Sequence, residues 1–141
     1  MESPHKIKKL AIVINAKGIL NVLLGIVHIV VAFAFEYNRI KTNMPEELST
    51  EYFGYFLALG VFLLFIGCTD ILCSKGLKQK LPFAWNIAFC CSVFTTFLGS
   101  VGLLIFHWKP SPPYLIFLTG IIGIVFLATN RKEFQKVSTD K

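Results

Sequence analysis

The residues best able to do chemistry in this 141-residue chain are a few polar side chains set inside long apolar runs. Lys17, Asn21 and His28 recur at i, i+4 and i+11, so all three project from one side of a helix. At about 1.5 Å rise per residue, His28 lies roughly 16 Å beyond Lys17, near the middle of its apolar stretch. Asp70 closes a second apolar run and Asn86 stands one turn into a third. If successive runs alternate in direction, Lys17, Asn21, Asp70 and Asn86 reach a similar depth from three helices. An unpaired charge among apolar neighbours is costly, so a Lys17–Asp70 ion pair with amide partners is the economical arrangement. The same intramembrane polar group also has the chemistry to hold a headgroup, an ion or a substrate.

His28 admits two readings. A neutral imidazole hydrogen-bonded to a neighbouring carbonyl or hydroxyl would be structural. A ligand-binding or proton-relay role would exploit titration near neutrality. Haem ligation by His28 with His107 is disfavoured by depth, because His107 belongs at the outer boundary of its run, roughly 10 Å from the level of His28. Cys68, Cys73, Cys90 and Cys91 form no C-x-x-C pair and fall towards one end of the apolar runs. They read as small packing residues, not as a disulfide framework or a metal site. No phosphate-binding Gly-rich loop, H-E-x-x-H or nucleophile motif occurs. No catalytic residue, cofactor or metal is therefore assigned.

What must position these side chains is a set of membrane spans. Residues 18–35, 52–69, 81–108 and 110–130 contain no Asp, Glu, Lys or Arg. A helix needs roughly 20 apolar residues to cross a hydrocarbon core about 30 Å thick. Hydrophobic residues make up 55% of the chain and charged ones 16%, well under the roughly 25% typical of soluble domains. The expectation is an all-α polytopic membrane protein: one domain, residues 1–141, with four transmembrane helices in a single bundle. The spans should run over about 10–35, 52–73, 83–106 and 114–130.

The formal charge of +6 does not point to nucleic acid, because the basic residues cluster at the ends of the apolar runs. Lys6, Lys8, Lys9 and Lys17, then Lys75, Lys78 and Lys80, then Arg131, Lys132, Lys136 and Lys141 fall on one side of an alternating topology. Only Arg39, Lys41 and Lys109 fall on the other. With connections this short, the excess marks the cytoplasmic side, so both termini should be cytoplasmic. The first run is too long for a signal-peptide core and carries Lys17, Asn21 and His28, which argues against cleavage after Ala34.

Local chemistry suggests the boundaries. Asn43-Met44-Pro45-Glu46 should cap a short interfacial turn. Tyr52, Phe53, Tyr55 and Phe56 should settle at the outer interface. Gly76 is a natural left-handed stop for the second span. Pro82 and Ser111-Pro112 should open the third and fourth. Small residues recur at helical spacing: Gly18 and Gly25, Gly60 and Gly67, Ser92, Thr96, Gly99 and Ser100, and Gly120 with Gly123. Such faces let membrane helices approach closely, within one chain or across a dimer.

Length, four spans, the Gly25-Ile26-Val27-His28 stretch and the Pro112-Pro113 entry to the last span resemble small bacterial integral membrane proteins of the DoxX-like kind. That resemblance implies a fold and a plasma (bacterial inner) membrane location, but little chemistry. Small multidrug resistance transporters share the size and span number. Their membrane-embedded Glu in the first helix has no counterpart before Glu36. Two functions remain. The first is a non-enzymatic accessory subunit or binder of a lipophilic ligand in the bundle. The second is a small dimeric proton-coupled transporter working through His28 and the Lys17/Asp70 region. The partners expected are the lipid bilayer, a second copy or larger membrane complex, and a small molecule of unassigned identity.

Overall fold

The computed structural model describes residues 4–42, 45–105 and 112–135. They form α1 (Pro4–Thr42), α2 (Glu46–Lys78), α3 (Pro82–Ile105), α4 (Pro112–Thr129) and a last turn, α5 (Lys132–Gln135). No strand occurs among the described residues. α1, α2 and α3 each contain a stretch long and apolar enough to cross a membrane, and α4 is a shorter apolar helix. Its 18 residues span about 27 Å, just short of a typical hydrocarbon core.

The surface confirms the solvent. Phe65 is 71% exposed, Leu72 and Leu104 65%, and Phe33 and Phe97 59%, while Lys17, Asn21, Asp70, Ser92, Thr95 and Thr119 are buried. Apolar side chains facing out over polar ones facing in is the inverse of a water-soluble monomer. The chain is an all-α membrane protein.

Two antiparallel hairpins make up the bundle. In the first, α1 lies along α2 with glycine meeting glycine. A Cβ built on Gly18 would lie 2.8 Å from the Gly67 carbonyl oxygen, and one on Gly25 would lie 2.8 Å from that of Gly60. The seven-residue spacing on both helices puts each pair at a crossing of the two backbones. In the second hairpin Gly120 faces Thr96, Gly123 faces Ser92, and Gly99 meets the Phe117 backbone. Without a hydrophobic drive between helices in lipid, such close backbone approach supplies the dispersion energy of association. The small-residue faces are thus consumed inside the chain.

The hairpins join through three layers. At the end carrying α1's first turns, Leu10, Ile14, Cys73, Leu77, Ala84, Ala88, Leu127 and Phe134 form an apolar cluster. Further in, Leu24, Leu59, Leu63 and Ile116 form a second. Lys17, Asn21, Asp70, Ser92 and Thr119, all buried, lie between the two.

Several boundaries differ from expectation. α1 and α2 run past the limits of 10–35 and 52–73 at both ends. α2 starts at Glu46 with Pro45 as its cap residue and no side-chain cap, so residues 46–51 belong to the long helix itself. Gly76 does not end α2. It is helical, and no glycine among the described residues has a positive φ. A Cβ there would lie 2.6 Å from the Ala84 Cβ, so this glycine serves the close approach of α3. The left-handed residue is Lys80, at φ 56°. Leu81 N donates to Gly76 O and Lys80 N to Leu77 O, at 3.0 Å each. This is the Schellman pairing, with Leu81 folding back onto the apolar cluster. α3 and α4 agree closely with their expected spans. Asn43, Phe106, His107, Trp108 and Ser111 lie outside the described residues.

Candidate functional site

Because α2 continues to Lys78, Asp70 sits two helical turns inside its end instead of at the boundary, about 12 Å deep at helical rise. Lys17 lies about as far in from Lys9. Glycine spacing brings the two together: with Gly18 seated on Gly67, Lys17, one residue nearer the charged end of α1, and Asp70, about one turn nearer that end of α2, meet across the same interface. Lys17 Nζ lies 2.9 Å from Asp70 Oδ2, and the two side chains are only 3% and 0% exposed. The ammonium also donates to Ser92 Oγ at 2.7 Å. Ser92 passes its own proton to Ala88 O at 2.8 Å, so its lone pairs stay turned towards Lys17. Gly123 closes over this group, since a Cβ there would strike Ser92 Oγ and come 3.2 Å from Lys17 Cδ.

Asn21, one turn along α1, lies beside the Asp70 carboxylate. Thr119 Oγ1 of α4 is 3.5 Å from its Oδ1, a long contact, because that hydroxyl donates to Ile116 O at 2.8 Å. The Asn21 amide nitrogen is buried without a well-aligned acceptor. The result is a polar layer to which all four long helices contribute: Lys17 and Asn21 from α1, Asp70 from α2, Ser92 from α3 and Thr119 from α4. Chemically it neutralises two opposite charges in a dry setting. It contains neither a nucleophile–base pair nor a metal-binding constellation. Among the described residues no three His, Cys, Asp or Glu side chains converge on one point.

Asn86 does not belong to it. Its side chain is exposed on the outer face of α3, and it stands nearer the helix start than the ion pair does. Ala84, Ala88 and Ser92, spaced by four, are all buried and trace the inward stripe, which leaves Asn86 on the far side. Ser92 occupies the position expected of Asn86. It was visible in the sequence only as one of several small residues, and Thr119 gave no signal at all beyond being a hydroxyl in an apolar helix.

His28 is buried but separate, two to three turns further along α1. Its Nδ1 is 2.7 Å from Leu24 O. A carbonyl only accepts, so Nδ1 carries the proton that meets Leu24 O. The imidazole lies beside Phe56, centroids 5.8 Å apart, and Phe56 in turn stacks on Phe35 at 5.5 Å. This is an aromatic packing layer in which His28 satisfies its own backbone. His28→Gln, which keeps a donor near Leu24 O, is therefore expected to cost no more than about 1 kcal/mol. A thermal melt in detergent checks this, and an NMR titration of the ring near neutral pH would show water reaching it.

At the charged end Trp85 Nε1 donates to Leu127 O at 3.0 Å, stacks on Phe89 at 5.1 Å and lies under the Arg131 guanidinium at 5.8 Å. This contact ties the end of α4 to the start of α3. All four cysteines are free. Cys73 is buried, Cys91 is half-buried, and Cys68 and Cys90 are exposed.

Two grooves flank the bundle on this same end. One, about 370 Å³, opens between α1 and α4 and is lined by Lys6, Lys9, Leu10, Val125, Phe126, Thr129 and Asn130. The other, about 340 Å³, opens between α2 and α3 beside Leu72, Cys73, Phe83, Ala84 and Ile87. Comparison with protein-family models, with curated proteins and with solved structures gave no match.

Proposed function

We propose that this is a non-catalytic, multi-pass protein of the plasma membrane, with four crossings and both termini cytoplasmic, that takes up a lipophilic or amphiphilic molecule from the bilayer. It would act as a binder of that molecule or as an accessory subunit presenting it. The observation that carries this reading is a pair of grooves among the described residues. The two grooves open sideways between helices, beside exposed apolar residues such as Val125 and Leu72. The level of Lys17 is instead occupied by a closed ion pair. A transported ion needs charges that can exchange partners, whereas Lys17 and Asp70 hold each other and Ser92 holds the ammonium.

The test is extraction. Protein purified in a mild detergent and washed extensively should retain an amphiphile at about one molecule per chain, identifiable by mass spectrometry after denaturation. Protein that emerges bare would sink the binding reading. In parallel, protein reconstituted into vesicles should produce no proton flux that His28→Gln abolishes. Such a flux would favour the proton-coupled transporter.

A further inference from the structure

The α1–α4 groove has the make-up of a site for one end of a particular class of lipid. Its floor is apolar: Leu10 is fully buried, Phe126 half-buried and Val125 exposed. Its rim is cationic. Lys6 and Lys9, three residues apart on α1, both line it, as i and i+3 positions on a common helix face must. Neither is in an ion pair among the described residues. No carboxylate lines the groove, and its other polar walls, Thr129 and Asn130, are committed: Thr129 Oγ1 donates to Val125 O and Asn130 Nδ2 to Phe126 O, each at 2.8 Å. Two ammonium groups with no acidic partner among the described residues therefore stand over an apolar trough. Just beyond α4, exposed Lys132 adds to the same field and Glu133 offsets part of it, while Arg131 is held over Trp85.

The difference in helix length creates this trough. α1 extends to Pro4 while α4 ends at Thr129, so the first turns of α1 overhang the last turn of α4. A molecule seated there would have its head at the level of Lys6 and Lys9 and its tail running inwards past Phe126 and Val125. Basic pockets between membrane helices attract anionic headgroups, each Lys near the surface contributing about fivefold in affinity.

We propose that the α1–α4 groove holds one anionic phospholipid, its phosphate between Lys6 and Lys9 and an acyl chain along Val125 and Phe126. This rests on the lipid-binding reading above and specifies the amphiphile's charge and seat.

The experiment is native mass spectrometry of the full chain in a neutral detergent, titrated with phosphatidylglycerol or with phosphatidylcholine of the same acyl chains. Phosphatidylglycerol should bind at least about tenfold more tightly, with one tight site per chain. Lys6→Gln with Lys9→Gln should abolish that preference, and both positions are exposed, so the fold is retained. Lys75→Gln with Lys78→Gln, which removes the same charge from α2 outside the groove, should leave it intact. Val125→Trp, which fills the floor but keeps both lysines, should weaken phosphatidylglycerol binding.

Equal binding of the two lipids would overturn the proposal while leaving the broader lipid-binding reading standing. Failure of either lipid to bind would remove both. Equal loss in the two double variants would reduce the effect to general surface charge and overturn the assigned seat, as would unchanged binding in Val125→Trp. Displacement of the lipid by millimolar inorganic phosphate alone would mean that the phosphate, without an acyl chain, accounts for the binding.

Discussion

Asp70→Ala should be among the most damaging single substitutions in the chain, lowering stability in detergent by about 3–5 kcal/mol. The carboxylate it removes lies 2.9 Å from Lys17 Nζ in a site where both side chains are almost wholly buried. What remains is an ammonium whose retained partner is the neutral Ser92 hydroxyl, and a lone buried charge is far more costly than a matched pair. Removing both charges is different. Lys17→Met combined with Asp70→Leu replaces the pair by apolar groups of similar volume and should recover most of the loss, because the desolvation cost disappears along with the attraction. Thermal or denaturant unfolding of the two single variants and the double variant measures the coupling. A double variant no more stable than the worse single one would refute the pairing as the source of the effect. Asn86→Leu, by contrast, should change little in the same assay, since that side chain is exposed.

A second large effect is expected at the glycine crossings. Gly67→Ala should cost about 3 kcal/mol, because its Cβ would lie 2.6 Å from the Gly18 carbonyl oxygen and 2.8 Å from the Val22 nitrogen. These are backbone atoms of a packed helix, which cannot yield as a flexible side chain would. Gly18→Ala and Gly25→Ala meet the Gly67 and Gly60 carbonyl oxygens and should behave alike. Gly54 is the internal control. Nothing lies within 4 Å of a Cβ there, so Gly54→Ala should be neutral or stabilise α2 by up to about 1 kcal/mol through helix propensity. Comparable destabilisation at Gly54 and Gly67 would mean that helix contact is not what these glycines serve. The Gly67 change should also disturb the ion pair, which sits one turn away on the same interface.

Much of the architecture is legible without coordinates, because a hydrocarbon solvent imposes a simple rule. Long uncharged runs must be helices, since the backbone has no other way to satisfy its polar groups there. The same solvent makes a solitary Lys17 and a solitary Asp70 read as partners, for neither is affordable alone. Helix ends were less legible. Gly76 carries the local signature of a stop, yet it exists to admit Ala84, and Lys80 takes the left-handed position because the Schellman bonds and the packing of Leu81 outweigh its Cβ strain. The rotation of α3 was not legible either. Asn86 and Ser92 are both polar residues of one apolar helix, and which of them faces inwards depends on where Ala84 and Ala88 dock against α2 and α4. The sequence alone determined that the chain is a helical membrane protein and made a Lys17–Asp70 pair the economical arrangement. Only tertiary packing decided which hydroxyls complete that pair, that His28 answers to its own backbone at another level, and that a groove rimmed by Lys6 and Lys9 lies between α1 and α4. Composition and periodicity specify each helix against its solvent, whereas these features depend on how one helix is seated against another.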